Sequence, residues 1–360
     1  MSANGLILKR CVCAAALIAA SGRVAAQDVP SAPGLHRDVV FSEYAAPSEN
    51  REILRRMLTP LAFAQMEKVV ARSGKSLQTQ PLDLKDERFT VYVPATPPPP
   101  AGYGLLVFVP PWDDARLPDG WSSILDARGI VFVTAAQSGN EQGVVNRRAP
   151  LALLAEENTV RRYRIDPARI YVGGFSGGSR VAMRLALAYP DIFTGAFLNA
   201  GADPIGDASA PLPPDDLFSR FQQSSHLYYA TGALDLSTLG MDARSLHAMR
   251  DLCIFNTQSA RTPRTGHDIA DAHVLFAALD FLAAPPATDD ERLAACRKNL
   301  EADLQQALQD IRAALAQGRK DDARKMLLDA NNRFGGLAAN DLIALAEQLN
   351  LDAMVQLQSH

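Results

Sequence analysis

Asp166-Pro167-Ala168-Arg169-Ile170-Tyr171-Val172-Gly173-Gly174-Phe175-Ser176-Gly177-Gly178 is the stretch on which the fold turns. Residues 169–172 have the apolar, β-branched and aromatic make-up of a buried strand. Residues 177–189 read as a helix ended by Pro190. Between the two lies Gly174-Phe175-Ser176-Gly177-Gly178, a G-x-S-x-G pattern. Composition alone produces that pattern in about one chain of this size in ten. The strand before it and the helix after it make it informative, because a sharp strand-to-helix turn is what lifts a serine hydroxyl above a sheet edge.

A serine hydroxyl is a poor nucleophile and needs a base and a stabiliser for the charge it creates. Ser176 is the candidate nucleophile, with Gly174 and Gly178 keeping the turn free of side-chain clashes. The N–H of Gly177, at the helix start, is the first candidate oxyanion donor, and the helix N-terminus adds positive potential there. In such strand–turn–helix sites the acid and the histidine follow the serine along the chain. Of six histidines, His267 in Thr265-Gly266-His267-Asp268 falls between the last strand and the last helix, on the elbow's side of a parallel sheet. His273 is the reserve. The acid is expected after the preceding strand, where Thr231-Gly232-Ala233-Leu234-Asp235 supplies Asp235, with Asp203 and Asp242 as alternatives. A second oxyanion donor is expected from the loop after residues 105–109. That loop opens with Pro110 and Pro111, which have no N–H, so Trp112 is the first available donor.

Outward from this centre the chain alternates. Apolar runs at 105–109, 130–133, 169–172, 193–198, 227–230 and 253–255 read as strands, and 149–163, 177–189 and 269–282 as helices. That alternation predicts an α/β fold, a mainly parallel sheet with helices on both faces. Upstream, 27–48 reads as irregular, 49–72 as helix interrupted at Pro60, and 77–84 and 88–93 as short strands. After Pro286 there is no proline, and Phe334 is the one aromatic residue. Leu293, Leu300, Leu304, Leu308, Ile311 and Leu315 share one helical face, and two further helices fit 320–331 and the stretch around Leu342–Leu349. The expected division is a signal peptide at 1–26, an irregular and helical segment at 27–75, a catalytic domain at 76–284 and an all-helical extension at 287–360 that packs on it.

Residues 86–283 resemble the α/β-hydrolase superfamily, and within it exported esterases of the polyhydroxyalkanoate depolymerase and feruloyl esterase type. The carrying motifs are the 166–178 stretch, the Gly232-to-Asp235 loop and Gly266-His267. The resemblance implies hydrolysis of carboxylic esters with Ser176, Asp235 and His267 as triad. The chain departs from the pattern in two places: the elbow reads F-S-G-G where depolymerases read L-S-A-G-G, and the oxyanion loop has no His-Gly pair. A serine peptidase or amidase, or a binding protein on the same fold, are the alternatives. Between the elbow helix and the acid, residues 201–225, with four prolines, are too short for a full helical cap, so an open site is expected that suits extended or polymer-attached esters.

Composition bounds the rest. The 360 residues carry 36 basic and 40 acidic side chains, a net charge of −4 that gives no reason to expect nucleic acid or anionic membrane as partner. Lys9 and Arg10, an apolar run at 11–20 and Val24-Ala25-Ala26 form an export signal with a cleavage site before Gln27. Cys253 and Cys296 then remain in an oxidising compartment, either as one disulfide or as two buried thiols. Arg147-Arg148 and Arg161-Arg162 read as a solvated face. Asp113-Asp114, Asp215-Asp216 and Asp289-Asp290 lack histidines at ligand spacing, and with no dinucleotide or phosphate-loop motif no metal or organic cofactor is expected.

Overall fold

The computed structural model describes residues 32–285 and 290–351. The expected export signal, residues 1–26 with Cys11 and Cys13, lies outside the described residues. Eight strands form one sheet: β1 (Gly34–Val39), β2 (Phe89–Val93), β3 (Tyr103–Val109), β4 (Ile130–Ala135), β5 (Ile165–Phe175), β6 (Gly195–Asn199), β7 (His226–Gly232) and β8 (Thr257–Thr262), in the order β1-β2-β4-β3-β5-β6-β7-β8. The pairs β1–β2 and β2–β4 are antiparallel and the rest parallel. The mainly parallel sheet expected from the alternation is thus present, with β5 at its centre.

Successive side chains of a strand face opposite sides, so a sheet covered on both faces needs apolar residues at every position. In β3, Leu105, Val107 and Val109 enter one core with α4 (Ala149–Arg162) and α5 (Gly177–Ala188), while Leu106 and Phe108 enter the other. That second core is closed by α3 (Trp121–Arg128) and α8 (Ala272–Ala283). The buried Trp121 ring meets Phe108 edge-on and donates its indole N–H to Ala270 O at 2.9 Å. Upstream, α1 (Asn50–Met57) and α2 (Pro60–Arg72) divide at Pro60, which takes the first turn of α2, where a missing N–H costs nothing. After β6 and β7 come α6 (Asp215–Ser224) and α7 (Leu236–Asp251).

Several local expectations are corrected. Residues 77–84 form no strand: the carbonyls of Leu77 and Thr79 accept the free N–H groups of Arg51 and Asn50 at the start of α1, at 3.0 Å each. The segment 27–48 is not wholly irregular, since Gly34–Val39 pairs with β2 as an edge strand. Its side chains alternate without an apolar face, which is why it leaves no pattern. Residues 253–255 are not the last strand. Cys253 has φ 67°, and Ile254 N–H returns to Met249 O, so the run is the buried turn that ends α7. The actual last strand, β8, is polar because it lies at the other edge. The final helix starts at Ala272 rather than Ile269, where Asp271 caps Val274 N–H at 2.9 Å.

Arg147 and Arg148 are not a solvated pair. They end a π-helical turn, Val144–Arg148. Arg148 is buried and donates to Ser138 O and Pro110 O, each at 2.9 Å. Arg147 makes a two-pronged contact with Glu87 at 3.0 and 2.7 Å. Burial and the nearby Arg184 push the Arg148 guanidinium down to about 10.

The C-terminal helices α9 (Asp290–Ala316), α10 (Lys320–Phe334) and α11 (Ala339–Gln348) share a core of Leu304, Leu308, Ile311, Leu327, Phe334 and Leu342, to which α2 adds Leu61. Polar ties fix this unit to the sheet domain. Leu61 N–H donates to the buried Asn331 Oδ1 at 3.2 Å, Gly336 N–H donates to Leu212 O at 2.8 Å, and Arg297 reaches Ser219 O at 2.7 Å. A disulfide joins Cys253 to Cys296, with 5.7 Å between Cα atoms. Among the described residues no helix is long and apolar enough to cross a membrane.

Two outcomes follow for stability. The disulfide closes a loop of sequence separation 43, and loop entropy predicts that Cys253→Ser with Cys296→Ser costs about 4 kcal/mol, measured by denaturant melts with and without reductant. Glu156, in α4, is pushed up to about 7, by burial first and then by Glu157 and Asp191. The folded state therefore holds this proton more tightly than the unfolded chain. Its penalty is absent below the ordinary value of 4.5 and complete above about 7. Glu156→Gln should stabilise the protein at pH 8, on the order of 3 kcal/mol, with the gain vanishing below pH 4.5 in melts run across that range.

Candidate active site

The elbow sits at the carboxyl end of the central strand, β5. Ser176 has φ 55° and ψ −122°, a conformation costly for any residue with a Cβ, and it caps α5. Its N–H is held by Asn199 O at 2.9 Å, and its carbonyl accepts from Ser179 N–H at 3.0 Å. The turn is possible only because the chain closes on itself at two glycines. A Cβ on Gly174 would stand 2.3 Å from the Gly178 carbonyl, and one on Gly178 would stand 2.0 Å from Val109 O.

That second contact brings the end of β3, and so the loop 110–114, against the first turn of α5. The loop is laced to its neighbour: Asn140 N–H donates to Pro111 O at 3.1 Å, Gly139 N–H to Asp113 Oδ1 at 3.0 Å and Gln137 N–H to Asp113 O at 2.7 Å. Arg148 ties both loops from beneath. The Arg116 guanidinium lies 4.1 Å from the centroid of the Trp112 ring, and the Phe175 ring packs against Trp112 at a tilt, centroids 6.0 Å apart. Gly177 occupies the first position of α5, whose N–H has no partner within the helix. The Asn140 carboxamide lies against Gly177, so close that a Cβ there would fall 2.1 Å from Oδ1. Sequence reasoning missed Asn140, which lies in no motif.

The acid and histidine loops are joined directly. Leu234 N–H donates to Thr265 O and Ala233 N–H to Thr262 O, at 2.9 Å each. These bonds put Asp235, the N-cap of α7, beneath His267. Asp235 Oδ2 lies 2.5 Å from His267 Nδ1, and His267 Nε2 lies 2.8 Å from Ser176 Oγ. Burial works against the charge on Asp235, but hydrogen bonds from His267 and Thr238 outweigh it and hold the carboxyl below its ordinary value. Phe175 backs the imidazole with ring centroids 5.2 Å apart. The His267 side chain is 46% exposed and Ser176 is half-buried, so the site opens to solvent.

The structure thus brings together Ser176, Asp235 and His267, with Gly177 and the Trp112 loop alongside. The alternative acids are engaged elsewhere. Asp242 is buried, accepts from Thr231 Oγ1 at 2.6 Å and Ala202 N–H at 3.2 Å, and is raised mainly by that burial. Asp203 pairs with Arg184 at 3.2 Å. Among the described residues no group of histidine, cysteine and carboxylate side chains is arranged to hold a metal. Gly178→Ala, by forcing a Cβ into the backbone of Val109 and Pro110, should lower the melting temperature by several degrees and abolish the reactivity of Ser176. Thermal melts and fluorophosphonate labelling of Ser176 check this.

A curated relative, poly(3-hydroxybutyrate) depolymerase from Ralstonia pickettii, is 33% identical over 98 residues, 23% of this chain and 20% of that protein. The chain therefore spans about a fifth of the length of the curated relative it matches. Solved structures include Porphyromonas gingivalis dipeptidyl peptidase 4 (TM-score 0.42, 16% identity, 56% of this chain and 34% of that one). Another is acetyl xylan esterase from Aspergillus awamori (TM-score 0.42, 11% identity, 54% and 94%). Residues 135–263, from the end of β4 through the elbow, the acid and the edge strand, match the family described as Esterase PHB depolymerase.

Proposed function

We propose that the chain is an exported serine esterase of the α/β-hydrolase type, in which Ser176, His267 and Asp235 act as a triad on carboxylic esters. The observation that carries this reading is the unbroken relay from Asp235 through His267 to Ser176 Oγ, with contacts of 2.5 and 2.8 Å at a strained serine turn. The family match over residues 135–263, which takes in Ser176 and Asp235, supports the ester as substrate.

Ser176 Oγ attacks the ester carbonyl as His267 Nε2 takes its proton. The carbonyl oxygen becomes an oxyanion, received by the Gly177 N–H and a second N–H from the loop at Trp112, with the N-terminus of α5 behind it. His267 then gives its proton to the departing alcohol, leaving an acyl group on Ser176. Water, deprotonated by the same imidazole, releases the acid and restores the serine. Asp235 fixes the tautomer and stabilises the imidazolium between these transfers. Residues 201–225 run as loop and the single helix α6, and the tail presses on their proline run: a Cβ on Gly336 would stand 2.4 Å from Pro213. The open mouth that results suits an ester carried on an extended or polymeric chain. Export rests on the 1–26 signal, and the helical extension serves to pack on the catalytic domain.

Ser176→Ala should lower kcat on p-nitrophenyl esters by at least ~10⁴-fold, and Asp235→Asn by about 10⁴-fold, with folding unchanged by circular dichroism. Peptide anilides assayed alongside provide the comparison. Turnover of esters by Ser176→Ala at the wild-type rate, or a preference for anilides, overturns the reading.

A further inference from the structure

One buried polar side chain lies where all three segments of the site meet, and none of the chemical steps uses it. Asn199 is the last residue of β6 and is 2% exposed. Its main-chain carbonyl accepts the N–H of Ser176 at 2.9 Å. Its Nδ2 donates to Ala230 O at 3.0 Å, near the end of the strand that leads to Asp235. Its Oδ1 accepts the N–H of Ala270 at 2.7 Å, three residues after His267. The orientation of the carboxamide follows from its partners, because a carbonyl can only accept and a backbone N–H can only donate.

We infer that Asn199 is a positioning residue that holds the serine turn, the acid strand and the histidine loop in one register. The inference rests on the proposed triad and adds to it. The three segments come from chain positions 176, 230–235 and 267–270, and parallel strands fix their heights but not the loops beyond them. The acid and histidine loops are bonded to each other through Leu234 and Thr265, and Ser176 is bonded to β6. Asn199 bonds to all three segments at once. Removing its side chain strands the Ala270 N–H in the interior, since that group loses its hydrogen-bond acceptor, and frees the histidine loop to shift relative to Ser176. A proton transfer across 2.8 Å is sensitive to such a shift, and a misplacement of about 1 Å costs on the order of 10²-fold in rate.

A purely structural residue lowers stability without singling out catalysis, and the fold contains a matched control. Asn158, in α4, is also buried and also ties distant chain: its Oδ1 accepts Glu43 N–H at 2.9 Å, and its Nδ2 donates to Glu43 O and Leu154 O at 2.8 Å. Its side-chain hydrogen bonds go to Ser42, Glu43 and Leu154, away from the segments that carry Ser176, Asp235 and His267.

The test compares Asn199→Ala, Asn199→Asp and Asn158→Ala, with Ser176→Ala as the inactive reference. Asn199→Asp keeps the volume and the acceptor for Ala270 and loses the donor to Ala230. Melting temperature, kcat and KM on a p-nitrophenyl ester, and the rate of fluorophosphonate labelling of Ser176 are measured below every melting point. The expected result is a kcat and a labelling rate reduced about 10²-fold in Asn199→Ala, a smaller loss in Asn199→Asp and KM little changed. Asn158→Ala, with a comparable drop in melting temperature, stays within twofold of wild type. A folded Asn199 variant with wild-type kcat overturns the inference, as does an equal loss in Asn158→Ala. Failure of both Asn199 variants to fold also counts against it, since that makes Asn199 a requirement of the fold. Full activity in Ser176→Ala would instead remove the triad reading beneath it.

Discussion

The left-handed backbone of Ser176 is the constraint from which the rest of the site follows. A residue with a Cβ stays at φ 55° only when its surroundings leave it no other choice. Here the surroundings are the Gly174–Gly178 contact, the Val109 carbonyl pressed on Gly178, and the bond from Ser176 N–H to Asn199. The first needs glycine at both ends of the turn. The second needs β3 to reach full length beside β5, which its unbroken apolar run ensures. The third needs β6 to end at Asn199. The strain at one residue is balanced by three strands, and the reward is a hydroxyl standing clear of the sheet.

The central strands and the site motif were legible because both write themselves locally. A strand buried on both faces has no room for charged side chains, and β3, β4 and the Ile170–Phe175 half of β5 carry none. A tight serine turn must have its glycines, and Asp235 and His267 follow from where loops emerge at one edge of a parallel sheet. The illegible parts depend on tertiary partners. Strands β1 and β8 lie at the sheet edges with mixed faces, so alternation is absent from their sequences. Residues 253–255 look like a strand since they are apolar, but they are apolar as a buried turn. Arg148 looked solvated because two adjacent arginines usually are, and no local pattern signals that Pro110 and Ser138 would turn their carbonyls toward one of them. Asn140 and Asn199 are likewise single polar residues whose meaning is set by chain far away in sequence.

The loops around the site are connected more through backbone carbonyls than through side-chain pairs. Pro110, Pro111, Ser138, Ala230, Thr262 and Thr265 all offer their oxygens to a neighbouring segment. Such contacts tolerate change in side-chain identity as long as the backbone path is kept. The side chains of Leu234 and Leu236, on the loop that carries Asp235, stand exposed and take no part in these ties.

The Cys253–Cys296 bond turns residues 254–295 into a closed ring that contains β8, His267 and α8. A protease that nicks this ring once opens it without parting the two fragments. The clipped protein would run as a single species until a thiol is added, and only then separate into a piece bearing the serine and a piece bearing the helices. In an environment rich in peptidases, the bond keeps a wounded chain in one piece.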